Sequence, residues 1–329
     1  MATVTDTAQW SDRRTEPAAW LISPSGDFWL ACGGAGVLLV AIALVLHWHG
    51  DRELQTADLL LAELHLGATY DAVVRRRLWQ HMPFEVIAVP VAITAATYGL
   101  MFADRADLVT TAVLYLAVWH RGRQNFGIAR YYQVHMGGPV SAWHRRLFGA
   151  AIYLPMAVGA AYFASTAPLY EGDEFLALAL GRDIVETLAV VAVAGIGAYV
   201  VFTARHRARI HPGEWWLVVA NAVAFGSGYV LGAWSMSFML VLALHHEVQY
   251  LSFTYAMVRR STAAGPGGPR RELRLLASFA LWPILGLTSW ALCQLSESEF
   301  VPPFLVSGLL CHYWLDGRIW TPRARRLAA

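Results

Sequence analysis

Residues 184–204 read IVETLAVVAVAGIGAYVVFTA, with Glu186 as the single charged side chain. A run of about 20 apolar residues is the length that an α-helix needs to cross a bilayer. Such segments recur along the 329-residue chain, which is 57% hydrophobic and only 15% charged, with a mean hydropathy of +0.43. A soluble domain has about 25% charged residues. The sequence therefore predicts an all-α fold, a polytopic integral membrane helical bundle.

Ten apolar segments are candidates for transmembrane helices. They cover residues 28–47, 54–71, 84–102, 107–130, 148–166, 184–204, 215–233, 237–257, 275–294 and 301–320. The second is the most polar, because Asp58, Glu63 and His65 interrupt it. The connections are short, so we expect one transmembrane domain over residues 28–320, a polar N-terminal segment at 1–27 and an Arg-rich tail at 321–329.

The arginines give an independent test of this arrangement. All 25 basic residues are Arg, and cytoplasmic loops carry the Arg excess in membrane proteins. Ten helices with a cytoplasmic N-terminus leave only Arg52, Arg105 and Arg182 on the outer side. Both termini are then cytoplasmic. Exclusive use of Arg with abundant Ala is typical of a high-GC bacterial genome, so we expect a multi-pass protein of the bacterial cytoplasmic (inner) membrane.

Several function classes are excluded by the absence of their motifs. The chain has no P-loop, dinucleotide-binding glycine pattern, Gly-x-Ser-x-Gly elbow or His-Glu-x-x-His helix. Its formal charge is only +2, and no basic segment alternates with aromatics as in a nucleic-acid groove. The cysteines Cys32, Cys293 and Cys311 form no CxxC pair, so a disulfide framework or zinc ribbon is not indicated.

Five of the twelve histidines fall inside predicted membrane helices. Ionisable residues there are costly and usually mark a functional site. The four helices concerned all run from outside to inside in the predicted topology, and each histidine lies roughly 6 to 14 residues before the Arg-rich end, or about 9 to 20 Å. We expect them to meet at one depth as metal ligands: His65, His120, His245, His246 and His312.

Polar residues near these histidines are the candidates for catalytic roles. Positions i and i+4 share a helix face, and three pairs have this spacing: His120 with Gln124, His245 with Gln249, and His312 with Asp316. Each partner can ligate or orient, and Glu247 and Glu63 are further candidates because ligating histidines often donate to a carboxylate. The adjacent His245 and His246 lie about 100° apart on a helix, so one ligates and the sequence does not choose between them.

The segments around these histidines resemble polyhistidine integral membrane proteins. They are HLGATY at 65–70, HRGRQNFGI at 120–128, HHEVQY at 245–250 and HYWLDGRIW at 312–320. They are similar to a bacterial family found beside enediyne-type polyketide pathways, which implies secondary metabolism without naming a reaction. The HxxxH and HxxHH boxes of fatty-acid desaturases are absent. Bacterial membrane carotenoid dioxygenases place four transmembrane histidines around one iron, and the chain is remotely similar to them in this principle.

These observations lead to one main hypothesis and two rivals. The main one is a non-haem metal oxidoreductase or oxygenase for a polyene, isoprenoid or acyl chain. Its cofactor is iron, with copper or zinc as alternatives. Its partners are O2 as co-substrate, an electron donor and membrane lipid. The first rival is a proton-coupled transporter or efflux protein that uses the same His and Asp316 network. The second is a haem-binding electron carrier.

Overall fold

The computed structural model describes residues 20–46, 51–135, 140–167, 174–177 and 180–263, isolated residues between 277 and 291, and 301–319. Within these residues the fold is all-helical and contains no strand, as the sequence predicts. The longer helices are α1 (Gly34–Leu46), α2 (Asp51–Arg75), α3 (Val89–Phe102), α4 (Ala106–His135), α5 (Ala142–Thr166), α6 (Arg182–Arg205), α7 (Pro212–Gly232), α8 (Met236–Ala263) and α9 (Val301–Ile319). Short elements are Pro24–Gly26, Leu78–His81, the π-helical turns Asp27–Ala31 and Phe84–Ala88, and Arg207–Arg209.

Four helices in the described residues are long and apolar enough to cross a membrane. They are Phe84–Phe102, which joins a π-helical turn to α3, and α5, α6 and α7. The bent pair Pro24–Ala31 and Gly34–Leu44 is a fifth candidate if it forms one span. Helices of membrane character are thus confirmed, and the count of ten spans stays a prediction. Most of the predicted helix 275–294 lies outside the described residues.

The outer surfaces of these helices are apolar. Val190 and Val193 on α6 are 70% and 69% exposed, and Val91 on α3 is 63% exposed. Water would penalise such continuous exposure of large apolar side chains, whereas lipid tails accommodate it. The apolar residues of α3 and α6 therefore face outward, while polar residues gather inside the bundle.

Local sequence signals set several helix boundaries. The Ser141 side chain accepts a hydrogen bond from the His144 amide (3.1 Å) and caps α5, while Pro212 occupies the first turn of α7. Gly33, between the turn Asp27–Ala31 and α1, has a φ of +86°, which L side chains rarely adopt. The predicted helix 28–47 is therefore broken, with a bend of 51° between its two parts.

The largest apolar cluster among the described residues lies where five helices meet. It contains Phe163 of α5, Phe225 and Tyr229 of α7, Leu242 of α8 and Leu310 of α9, together with residues of α4. Helix α8 also packs along α2, and α9 packs along α3. As a result α8 lies centrally, with different neighbours on its different faces.

A separate polar network is buried at the start of α5. His144 Nε2 lies 2.7 Å from Glu214 Oε1, and both side chains are 1% exposed. The same oxygen accepts from Tyr199 Oη (2.9 Å) and from Gln133 Nε2 (3.2 Å). Three donors therefore compensate the burial of one carboxylate, and the network joins α4, α5, α6 and α7.

Candidate metal centre

Four of the five predicted histidines converge from four helices. His65 of α2, His120 of α4, His246 of α8 and His312 of α9 are each only 2 to 3% exposed. Their ring centroids are 4.4 to 5.9 Å apart for the five pairs in ring contact. The helices that carry these histidines are not among the four that are apolar enough to be candidate membrane spans, because each contributes polar residues to the histidine cluster. The predicted convergence is therefore present in the fold.

Three of these histidines and one carboxylate have the spacing of a ligand set. One ligand atom from each of His65, His120, His312 and Asp316 lies within 4.8 Å of all the others. His120 Nε2 and His312 Nε2 are 3.3 Å apart. Two nitrogens at about 2.1 Å from one metal are separated by about 3.0 Å at a right angle and about 3.4 Å at the tetrahedral angle. The pair thus has the separation of neighbouring ligands.

Glu247 and His246 form a second group with the same His65. One ligand atom from each of His65, His246 and Glu247 lies within 4.8 Å of the others. A Glu247 carboxylate oxygen contacts His65 Nδ1, and His65 Nε2 has no hydrogen-bond partner in the described part of the chain. A carboxylate on one ring nitrogen orients the other nitrogen toward a metal. Glu247 therefore has the position expected for an orienting group.

Asp316 is held by hydroxyl groups from two other helices. Tyr250 Oη donates to Asp316 Oδ1 (2.6 Å), and Thr69 Oγ1 donates to the same oxygen (3.2 Å). Thr69 Oγ1 also lies 2.9 Å from His312 Nδ1, and the Tyr250 ring stacks on the His65 ring at 3.7 Å. One connected network thus fixes a carboxylate and two imidazoles.

Thr69 and Tyr250 were not predicted as site residues, although a sequence signal could have found them. Thr69 is four residues after His65, and Tyr250 is four residues after His246. This is the same spacing that singled out Gln124, Gln249 and Asp316. Hydroxyl side chains escape a search for amides and carboxylates, but here they supply the donors that hold Asp316.

The structure separates His245 from the cluster. Its ring lies in edge contact with Phe225 (5.4 Å) and against the backbone of Gly33 and Gly36. His245 therefore faces α1 and α7, while His246 faces α2 and α4. The 100° between adjacent helical positions makes this division unavoidable.

The two predicted glutamines, Gln124 of α4 and Gln249 of α8, lie on different sides of α8. Gln124 Nε2 donates to the His246 carbonyl (3.1 Å), and its Oε1 has no hydrogen-bond partner among the described residues, so Gln124 borders the cluster through the backbone of α8. Gln249 lies on the His245 side, where its Nε2 faces Gly33. Glu63 is buried at 7% exposure but belongs to neither ligand group.

A cationic side chain adjoins the cluster. Arg121 follows His120 on α4, is 7% exposed, and donates to Tyr229 Oη (3.1 Å). The Arg distribution places Arg121 with the cytoplasmic positive charge, whereas the structure buries this side chain against Tyr229. A buried cation therefore lies next to the histidine cluster.

Comparisons with protein-family models, curated proteins and solved structures found no match to this chain. The side chains themselves indicate the chemistry of the site. Imidazole nitrogens with a carboxylate oxygen are a donor set for iron, copper, zinc or nickel, whereas magnesium and calcium need mainly oxygen. The buried cluster can accommodate a transition-metal ion.

Proposed function

We propose that this protein is a membrane oxidoreductase with a non-haem iron centre that acts on a lipophilic substrate. The observation that carries the proposal is the convergence of His65, His120, His312 and Asp316 within 4.8 Å inside an apolar helical bundle. Histidine and carboxylate ligands with open positions are typical of non-haem iron(II) oxygenases. When bound, iron would supply redox chemistry with O2, and an electron donor would complete the reaction.

The side chains have distinct roles in this proposal. His65, His120 and His312 hold the metal through nitrogen, and Asp316 adds an oxygen. Glu247 orients His65, while Tyr250 and Thr69 keep Asp316 in position. His246 lies close enough to join the ligands or to border the substrate. Gln124 holds the α8 backbone at His246.

The membrane setting supports a lipophilic substrate such as a polyene, isoprenoid or acyl chain. The exposed surfaces of α3 and α6 are apolar, and the histidine cluster adjoins the main apolar cluster through Tyr313, whose ring stacks on His120 at 4.8 Å. We further propose ten spans in the bacterial inner membrane with both termini cytoplasmic, because the Arg distribution favours that topology. Helices α2, α4, α8 and α9 span in this arrangement, although their inward polar residues lower their hydropathy.

Metal analysis of the purified protein tests the proposal. We expect about one or two irons per chain in wild type, and loss of metal in His120→Ala and in His312→Ala. His81→Ala is the matched control, because His81 is exposed on the short helix Leu78–His81. Full occupancy in both cluster variants would refute a shared site. A Soret band in the visible spectrum would indicate haem and refute the non-haem assignment.

A proton-coupled transporter is the second candidate, and one observation favours it. Tyr250, Thr69, Asp316 and His312 form a connected chain of hydrogen bonds, which is the arrangement of a proton relay. This function predicts pH-dependent flux in proteoliposomes and no stoichiometric metal after anaerobic reconstitution. Metal that is lost in both histidine variants, without flux, would exclude it.

A further inference from the structure

The break before α1 faces a buried polar surface of α8. The turn Asp27–Ala31 ends here and α1 begins at Gly34, with Gly33 at positive φ between them. A Cβ on Gly33 would lie 2.9 Å from Gln249 Nε2, and a Cβ on Gly36 would overlap the His245 ring. Glycine at both positions therefore lets His245 and Gln249 approach the start of α1 closely.

Gln249 carries polar atoms without hydrogen bonds in the described part of the chain. The side chain is fully buried, and neither its amide nitrogen nor its amide oxygen has a partner there. The neighbouring His245 is also buried, and its ring lies against the backbone of Gly33. More than nine in ten buried polar groups are paired in proteins. The two unpaired amide atoms of Gln249 beside His245 indicate that a polar ligand completes this site.

The start of α1 adds further donors. The Val37 amide donates to the Gly33 carbonyl (3.2 Å) and makes the first bond of the helical ladder, so the N–H groups of Gly34, Ala35 and Gly36 precede that ladder. A helix N-terminus carries partial positive charge and favours an anion over a cation. The carboxylate of Asp27 does not fill this role, because it already accepts from Leu21 N (2.6 Å), Ile22 N (2.6 Å) and Tyr132 Oη (2.9 Å).

An apolar cleft opens beside the same break. It has a volume of about 290 Å³ and lies between α1 and α7. Its lining includes Phe28, Trp29, Gly34, Leu38 and Trp216. Gly34 belongs to both the cleft and the first turn of α1, so a molecule with a polar head at the break could extend its apolar part into the cleft.

We propose that this site binds a lipophilic carboxylic acid. The carboxylate lies against His245, Gln249 and the first amides of α1, and the hydrocarbon chain lies in the cleft toward Trp29 and Trp216. The donors are neutral, which suits a single negative charge. This site lies on the opposite side of α8 from the histidine cluster and does not depend on a metal.

Photocrosslinking of the full chain in phosphatidylcholine nanodiscs tests the proposal. The probes are palmitic acid that carries a diazirine near the end of its chain and the corresponding hexadecanol. We expect the acid to label peptides that contain residues 28–41 or 216–220, and oleate to compete while oleyl alcohol does not. The exposed surface of α6 around Val190 and Val193 reports non-specific contact with the probe.

Variants separate the head-group contacts from general lipid exposure. Gln249→Leu should lower labelling by the acid about tenfold, because it removes hydrogen bonds to the head group, and should leave labelling by the alcohol unchanged. Ser252→Ala is the matched control on α8, since its hydroxyl bonds to the Val248 carbonyl of its own helix. Equal labelling of α6, equal competition by oleyl alcohol, or labelling insensitive to Gln249→Leu would overturn the proposal. The competition test requires no variant, so it remains decisive if Gln249→Leu does not fold.

Discussion

Tyr250→Phe gives a sharp test of the candidate metal centre. The substitution keeps the ring that stacks on His65 at 3.7 Å and removes only the hydroxyl group. That hydroxyl donates to Asp316 Oδ1 at 2.6 Å and lies 2.7 Å from Thr69 Oγ1. The variant therefore changes the support of a ligand without changing a ligand.

The magnitude follows from the contacts that are lost. A hydrogen bond to a charged group contributes about 1.5 to 3 kcal/mol, and loss of a group that orients a metal ligand lowers metal affinity about 10- to 100-fold. Asp316 keeps Thr69 as a donor, at the longer distance of 3.2 Å. We expect the variant to bind metal about 10- to 100-fold more weakly and to retain the fold.

Competition with a chelator in detergent solution measures this affinity. The matched control is Tyr70→Phe, because Tyr70 Oη donates to the Gly308 carbonyl (3.3 Å) and joins the same helices α2 and α9 away from Asp316. Unchanged affinity in Tyr250→Phe would refute the assignment of Asp316 as a supported ligand. Equal losses in both variants would indicate a general loosening of α9 instead.

Three further predictions concern the bundle. Gly36→Ala should destabilise the protein by about 1 to 3 kcal/mol, because the added Cβ would meet the His245 ring. Gly197→Ala is the control: its added Cβ meets no atom within 4 Å, so the thermal midpoint of unfolding should stay almost unchanged. Glu214→Gln should lower stability to chemical denaturation by about 1 to 3 kcal/mol, because His144, Tyr199 and Gln133 lose a charged acceptor. The metal content of this variant should equal that of wild type. A loss of metal would show that the Glu214 network supports the histidine cluster. The topology predicts that Asp104→Cys reacts with an impermeant maleimide in intact cells and that Ala208→Cys reacts only after permeabilisation; the same labelling at both positions would contradict the proposed sidedness.

The helical fold could be predicted because membrane helices carry a strong one-dimensional signal. The predicted segments 107–130 and 237–257 correspond to Ala106–His135 and Met236–Ala263, whose ends extend further because polar residues can prolong a helix. The break at Gly33 was missed. The small residues of the run Gly33-Gly34-Ala35-Gly36 permit close packing, and Gly36 does lie against the His245 ring. A positive φ at Gly33, however, leaves no distinct mark in composition.

Within the site, the sequence predicted the depth of the histidines better than their direction. Shared depth follows from residue counts along each helix, so the convergence of His65, His120, His246 and His312 could be foreseen. The choice between His245 and His246 depends on the rotation of α8 about its axis. That rotation is set by apolar contacts such as Leu242 in the main cluster and Leu244 against Val40, which join segments far apart in the chain.

The order of the ligands along the chain has a consequence for biogenesis. Helices enter the membrane from the N-terminus onward during synthesis, and the cluster draws its side chains from positions 65, 120, 246 and 312. A nascent chain that ends before α9 lacks both His312 and Asp316. In the proposed function, metal uptake is therefore the closing event of assembly, and a metal that binds only the completed bundle stabilises it by mass action.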